Sequence, residues 1–325
     1  MSSERNARSP LGRVLIIANP AAHSGDARES AEHLRRFLAE QLPDKASATL
    51  VYTERPRHAV ELARDAMGFD TVVALGGDGV VHEVVCGLMQ RPAADRPTLG
   101  VVPVGSGNDY ARTLGLPRGA HADISYLLSC ERVSMDVGRI DVMDTGATAT
   151  EYFVETFSIG LDAAIALGTQ ELRKSSPLSG TALYLASSFS VLGPGYRSFP
   201  ARIAIDDEAP RACDLIFMAV QIGPTYGSGF RICPQADPTD GLFDTCHAVG
   251  PVSRIRAIPV FVRAKMGRHV TSRLVTMGQA RRVAFTLGGD DYPIQADGER
   301  IHARRLTVSM VPHAISVLRP NNTRL

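Results

Sequence analysis

Along the N-terminal part of the chain, apolar residues come in short unbroken blocks, each closed by a turn signal and followed by a stretch of helical spacing. Val14-Leu15-Ile16-Ile17-Ala18 ends on Asn19-Pro20, and Ala48 to Thr53, Thr71 to Leu75 and Thr98 to Val102 repeat the pattern. Blocks of that length between turns predict buried strands. Ala31 to Leu42, Ala59 to Met67 and Val80 to Met89 predict the intervening helices. The alternation predicts an α/β domain with a parallel sheet covered by helices on both faces. Past Asp136-Val137-Gly138 the texture changes to short β-rich runs, namely Glu151 to Ile159, Ala201 to Ile205, Leu215 to Ile222, Arg282 to Leu287 and Leu306 to Val311. Helical candidates remain only at Thr181 to Leu192 and Ile255 to Lys265. A mainly antiparallel β-sandwich is predicted there. The expected layout is a polar leader over residues 1–12, an α/β domain over 13–137 rejoined by about 312–325, and a sandwich over 138–311.

Composition narrows the function classes. With 35 basic and 34 acidic side chains, the 325-residue chain carries a net charge of +1. That balance argues against nucleic acid as the main partner. No run approaches the roughly 18 apolar residues of a membrane-spanning helix, so a water-soluble chain is expected. The five cysteines are scattered without a CxxC pair. They favour neither a disulfide framework nor a zinc site, and a cytoplasmic setting is expected.

Four stretches carry candidate chemistry. Gly76-Gly77-Asp78-Gly79 lies between a strand and a helix, with Glu83 one turn in. Glycines there let backbone N–H groups approach an anion at a helix N-terminus, although a tight turn alone would use the same residues. Pro103 to Arg112, containing Gly105, Ser106, Asn108 and Asp109, has the same placement. Two such loops ending parallel strands would line one nucleotide crevice. The three lysines, Lys45, Lys174 and Lys265, lie outside any GxxxxGK[ST] motif, which leaves phosphate charge to backbone amides, arginine and a metal. Asp237, Asp240 and Asp244, around Pro238 and Gly241, resemble a hard-cation loop, although on these residues alone an acidic turn is the preferred reading. Asp297-Gly298-Glu299 is by composition a hairpin turn.

In order and spacing these stretches resemble the diacylglycerol kinase catalytic-domain family, which includes bacterial diacylglycerol kinases and the sphingosine and ceramide kinases. The likeness runs from about Val14 to Val317. Asn19-Pro20 with Ser24-Gly25 resembles the opening NPxSG, Gly76 to Glu83 resembles GGDGTxxE, and Pro103 to Arg112 resembles PxGTxNDFAR. Asp136-Val137-Gly138 resembles the DxG that closes the nucleotide domain, and Gly160 to Ala163 the GxDA of the second domain. Asp237, Asp240 and Gly241 resemble the acidic DG loop, and Asp297 to Glu299 the DGE. The departures are Val80 for threonine, Ser106 for threonine, and His23 within the first motif.

The resemblance implies an NAD-kinase-like α/β domain and an enzyme that transfers the γ-phosphate of ATP to a lipid hydroxyl, with diacylglycerol the first choice. It implies nucleotide contacts at Asn19, Pro20, Ser24, Gly25, Thr53, Gly76 to Gly79, Glu83, Gly105, Ser106 and Asn108. Asp78, Asp109 and Asp136 would organise catalytic Mg²⁺ through water, and Asp237, Asp240 and the carbonyl of Leu242 a structural Mg²⁺. Asp297, Glu299 or Asp78 would accept the proton, and Asp162 would meet the lipid.

A bilayer substrate calls for an apolar surface with a basic fringe. Leu178 to Phe199, with Leu183, Tyr184, Leu185, Phe189, Val191 and Leu192, is a candidate pocket wall, with core packing as the preferred reading. Ser253 to Arg273 is basic and amphipathic without an acidic residue, as a peripheral membrane contact or a dimer surface would be. An exposed strand edge in the second domain would also serve a homodimer. The competing activities are NAD kinase, of whose NE segment only Glu155-Thr156 is an echo, and a non-catalytic binder of the same fold. The set Asp78, Asp109, Asp136, Asp297 and Glu299 argues against the latter, because a pure binder has no use for so many carboxylates.

Overall fold

The computed structural model describes residues 11–22, 26–41, 48–117, 124–144, 149–176, 178, 180–193, 195–289 and 292–321. The chain divides into two compact units, Met1–Ser134 with Ile315–Leu325, and Met135–Ala314. No helix among the described residues is long and apolar enough to cross a membrane.

The first unit is built on the apolar blocks. β1 (Val14–Ala18), β3 (Thr71–Gly76) and β4 (Thr98–Pro103) are buried at every position, as strands covered on both faces must be. β2 (Ala48–Tyr52) is the half-exposed edge. All four are parallel: Ala18 lies beside Tyr52 on one side and Leu75 on the other, and Gly76 lies beside Pro103. The end of β15 (Arg305–Pro320) adds a fifth parallel strand through Val317 and Leu99. The order β15-β4-β3-β1-β2 reverses direction beside β1. A crevice therefore opens at the carboxyl ends of β1 and β3. α1 (Asp26–Gln41) presents Ala27, Ala31, Leu34 and Leu38 inward, all fully buried. α2 (His58–Arg64), α3 (Asp78–Met89) and α4 (Asp109–Thr113) follow the later strands. Residues 1–10 of the expected leader lie outside the described residues. Leu11 is not part of a leader: it is fully buried, and its carbonyl accepts the Thr71 hydroxyl at 2.7 Å.

The second unit is antiparallel. Its central strand β9 (Arg211–Gln221) pairs with β8 (Phe199–Ile205) and β7 (Thr156–Gly160) along one edge and with β10 (Phe243–Val249) along the other. β12 (Arg282–Leu287) joins β8 to β15, β13 (Ile294–Ala296) pairs with β7, and β11 (Thr276–Ala280) pairs with β10. β5 (Cys130–Val142) runs from the first unit into the second, where Gly138 faces Phe153 of β6 (Ala149–Phe153). Phe153 is fully buried and stacks on Phe243 with ring centres 5.7 Å apart. Three helices complete the unit: α5 (Leu161–Ser175), α6 (Gly180–Leu192) and α7 (Arg254–Ala264).

Three expectations needed revision. Glu151 to Ile159 is two strands, broken at Val154 and Glu155, because the backbone N–H groups there turn to a carboxylate. The last strand does not stop at Val311 but runs to Pro320. α5 was not expected. It starts at Gly160, whose φ of +90° and close approach to the Ile216 carbonyl admit no side chain; an added Cβ would lie 2.3 Å from that oxygen. Gly160→Ala should lower stability by about 2–4 kcal/mol, seen as an earlier unfolding midpoint in urea.

Candidate functional site

In the first unit, the residues singled out from the sequence gather at the carboxyl ends of the strands. Asn19, directly after β1, donates its N–H to the Leu75 carbonyl at 3.2 Å, and its side-chain oxygen accepts the Ala21 N–H at 2.9 Å, with Pro20 inside the turn. Thr53, directly after β2, donates its N–H to the Ala18 carbonyl at 2.9 Å. Ser24 and Gly25 lie outside the described residues.

The two glycine loops press together. A Cβ on Gly105 would sit 2.4 Å from the Gly77 Cα, so neither loop has room for a side chain at the contact. Asn108, at φ +52°, holds the second loop closed: its amide oxygen accepts the Gly105 N–H at 3.0 Å and its amide nitrogen donates to the Gly105 carbonyl at 2.6 Å. Gly77 caps α3, and its carbonyl accepts the N–H groups of Val80 and Val81. Val80 is buried against Gly76, where a Cβ would lie 2.7 Å from a Val80 methyl. Gly79 and Ser106 are exposed. The result is a bare backbone cradle at the start of a helix, which suits an anion.

The acids of this unit have distinct partners. Asp78 accepts the Tyr110 N–H at 3.2 Å and so ties α3 to α4. Asp109 is buried, with an oxygen 3.5 Å from Nε of Arg112. Glu83 directs its two oxygens to the N–H groups of Arg57 and Ala59, at 3.0 and 3.1 Å. It thereby does for α2 what an N-cap side chain does, since Arg57 itself supplies no side-chain cap.

Asp136 belongs to the second unit. It is 1% exposed, and its two oxygens accept the N–H groups of Gly241 and His313, each at 2.7 Å. Burial pushes its carboxyl above the usual range, while these donors pull it back. Nearby, one oxygen of Asp237 accepts the N–H and hydroxyl of Thr239 at 2.9 and 2.6 Å, and one oxygen of Asp240 accepts the Leu242 N–H at 2.9 Å. Each aspartate spends one oxygen on shaping the loop. The other oxygens of both and the Leu242 carbonyl are oxygen donors, the chemistry that a hard cation completed by water prefers. Among the described residues, no three acids of this loop bring oxygens within 4.8 Å of one another.

The turn at Asp297 is tightly held. Asp297 (φ +48°) accepts the N–H of Val154 at 2.9 Å on one oxygen and those of Glu155 and Thr156 at 3.0 Å on the other. Gly298 donates its N–H to the side-chain oxygen of Gln295 at 2.7 Å, and the Gln295 amide nitrogen donates to the Ser158 hydroxyl oxygen at 2.8 Å. Ser158 in turn hydrogen-bonds Asp162. Glu299, on the short β14 (Glu299–Arg300), is exposed.

Asp162 faces an apolar cavity of about 70 Å³, partly open to solvent. It is 7% exposed, and its Oδ2 has no hydrogen-bond partner. Desolvation pushes its carboxyl up to about 7, against the Ser158 hydrogen bond. The cavity corrects the candidate pocket wall. Of the α6 residues proposed for it only Leu192 lines the space; Leu183 and Tyr184 are core, and Leu185 and Phe189 are exposed. The wall is instead α7, through Ala257, Val260, Phe261 and Ala264. Their i, i+3, i+4, i+7 spacing was a readable signal, diluted by intervening arginines. His269 was also missed. It lines the same cavity, has no partner at Nδ1, and its pKa is lowered by burial.

Two family models match the chain: the diacylglycerol kinase catalytic domain over residues 13–140, and the YegS C-terminal NAD kinase beta sandwich-like domain over residues 155–319. A diacylglycerol kinase of Mycobacterium tuberculosis is 29% identical over 323 residues, 99% of this chain and 100% of that one. A diacylglycerol kinase of Bacillus subtilis is 28% identical over 298 residues, 89% and 90% of the two chains. Among solved structures, a diacylglycerol kinase from Bacillus anthracis superposes with a TM-score of 0.76 at 21% identity, covering 97% of this chain and 99% of that one. Yeast NADH kinase, solved with NADH, superposes with a TM-score of 0.51 at 9% identity, covering 96% and 84%. Both superpositions speak to the fold, an NAD-kinase-like α/β domain with an antiparallel β-sandwich.

Two outcomes follow from this geometry. Asp297→Ala leaves three N–H donors without their acceptor and should destabilise the chain by about 2–5 kcal/mol, whereas Glu299→Gln should leave the urea midpoint unchanged. Because the folded state holds the Asp162 proton up to about pH 7, its contribution to stability is full below the ordinary carboxylate range near pH 4 and is lost as pH rises to about 7. Asp162→Asn should remove that decline, on the order of a few kcal/mol, when urea midpoints are compared with the parent chain from pH 4 to 8.

Proposed function

Because the chain belongs to the diacylglycerol kinase catalytic-domain family and is a lipid kinase, we propose that it moves the γ-phosphate of ATP to the free hydroxyl of diacylglycerol, yielding phosphatidic acid. The observation that carries the choice of acceptor is the cavity: apolar walls around one buried carboxylate whose Oδ2 lacks a donor. The Asp162 carboxyl, which burial keeps protonated up to about pH 7, can donate to an ester carbonyl of such a lipid, and the apolar walls face its acyl chains. The two phosphates and ribose hydroxyls of NAD would find no cation in that lining, which weighs against the NAD kinase alternative.

The bare cradle of Gly76, Gly77, Gly79 and Gly105 fits the ATP phosphates, with Asn19, Thr53, Ser106 and Asn108 at its rim. Glu83 and Asn108 act by positioning, since their side-chain contacts are to backbone. Asp237, Asp240 and the Leu242 carbonyl would hold a structural Mg²⁺, and Asp78 and Asp109 would act on a catalytic one through water; Asp136, with both oxygens on the N–H groups of Gly241 and His313, is left to shape its own loop. Bound Mg²⁺ supplies charge neutralisation on the transferring phosphate.

Glu299 is assigned the proton. As the acceptor oxygen bonds to the γ-phosphorus and ADP departs, the hydroxyl proton passes to the Glu299 carboxylate and then to water. Asp297 is less suited, since three N–H groups already hold its oxygens, and it serves to fix the turn that presents Glu299. The setting that follows is the cytoplasm, at a bilayer surface.

The test uses labelled ATP and Mg²⁺ with diacylglycerol, sphingosine, ceramide and NAD presented in mixed micelles. Label should enter diacylglycerol and disappear when Mg²⁺ is chelated. Glu299→Gln should reduce turnover by about 100-fold or more with ATP binding retained. Label in NADP alone would overturn the assignment, and turnover by Glu299→Gln equal to that of the parent chain would remove Glu299 from the proton's path.

A further inference from the structure

α7 has two apolar faces. Ala257, Val260, Phe261 and Ala264 line the cavity. At 100° per residue, Ile255, Ile258 and Val262 fall on the opposite face, and Met266 extends that stripe just past the helix. Their exposures are 78%, 44%, 63% and 64%. Arg254, on one side of the stripe, and Arg256 and Arg263, on the other, are exposed as well. Lys265 is turned inward, donating to the Ser228 carbonyl at 2.9 Å and lying 4.7 Å over the Phe230 ring. A helix buried on one side ordinarily shows charge or polarity on the other. This one shows isoleucine and valine between arginines.

Charge identifies what would cover that stripe. Between Asp244 and Asp290 the sequence has no acidic residue, while Arg254, Arg256, Arg263, Arg268 and Arg273 lie in that interval. An apolar stripe edged by arginines is the form of a helix lying in the interface of an anionic bilayer. The exposed pair on α6, Leu185 and Phe189, has no such edge, because α6 carries no charge. α7 is also lightly held. Ala264 is its only buried residue, and Pro259 has no N–H to give to the Ile255 carbonyl.

We propose that α7 is the bilayer-docking element of the protein and the door of the cavity, its outer stripe entering an anionic membrane surface while its inner face admits the lipid. This rests on the reading of the cavity as the acceptor site. Docking would then shift α7 at the moment when a lipid is within reach, so that surface binding and loading are one event.

The test is co-sedimentation of the full chain with vesicles of phosphatidylcholine alone or with a third phosphatidylglycerol. Binding should require phosphatidylglycerol and weaken as salt is raised. Ile255→Ser with Val262→Ser should weaken it by about tenfold or more. Phosphorylation of long-chain diacylglycerol in the vesicles should fall in parallel, with that of a monomeric short-chain diacylglycerol unchanged. The chain contains no tryptophan, so Val262→Trp provides a sole reporter whose emission should shift to the blue with phosphatidylglycerol vesicles only. Parent-like binding by the serine pair, an unshifted Val262→Trp, or a dimer that the serine pair splits would overturn the proposal. Vesicle binding that the serine pair abolishes, in a protein that phosphorylates no diacylglycerol, would uphold the docking face and overturn the acceptor assignment instead.

Discussion

Three consecutive backbone N–H groups, those of Val154, Glu155 and Thr156, converge on the carboxylate of Asp297, and much of the second unit's chemistry hangs on that convergence. It ends β6 and starts β7 two residues later, so that β7 runs into Gly160 and launches α5 with Asp162 in its first turn. It also pins the hairpin that exposes Glu299. From the same turn, hydrogen bonds pass from Gly298 to Gln295, to Ser158 and to Asp162. Gln295 and Ser158 are completely buried. Buried polar links of this kind strengthen one another, which makes the position of the turn and of the cavity carboxylate mutually dependent.

The first unit obeys a different constraint, the contact of Gly77 with Gly105. It allows backbone to face the crevice without side chains intervening, and it removes any place for a lysine. Charge on a bound anion must therefore be met by amides and by groups brought with it. Two acids of this unit, Asp78 and Glu83, accept backbone N–H groups and so join helices to one another.

The sheet of the first unit was legible because parallel strands buried on both faces are unbroken apolar runs, and its loops were legible because glycine marks where backbone must approach backbone. α5 was not. Ala163, Ile165, Leu167 and Thr169 alternate with less buried positions, a period of two that imitates a strand, and the helix arises because it is packed on more than one side. The break in Glu151 to Ile159 depends on an aspartate about 140 residues downstream, beyond the reach of any local pattern. Glu83 sits within a phosphate-loop motif, yet its partners are the N–H groups at Arg57 and Ala59, so proximity in sequence suggested a role its geometry does not express. The cavity was sought on the more hydrophobic helix; hydrophobicity all round marks core, and the true wall is the helix interrupted by arginines.

Among the described residues, the cavity lining holds one carboxylate, one imidazole and no lysine or arginine. On the reading of this cavity as the acceptor site, a lipid alcohol would enter it as a neutral molecule. Once phosphorylated, the same molecule would carry negative charge that this lining could not balance and that Asp162, when ionised, would repel. Such a lining would discriminate against its own product and favour departure of the phospholipid without a separate device for expelling it.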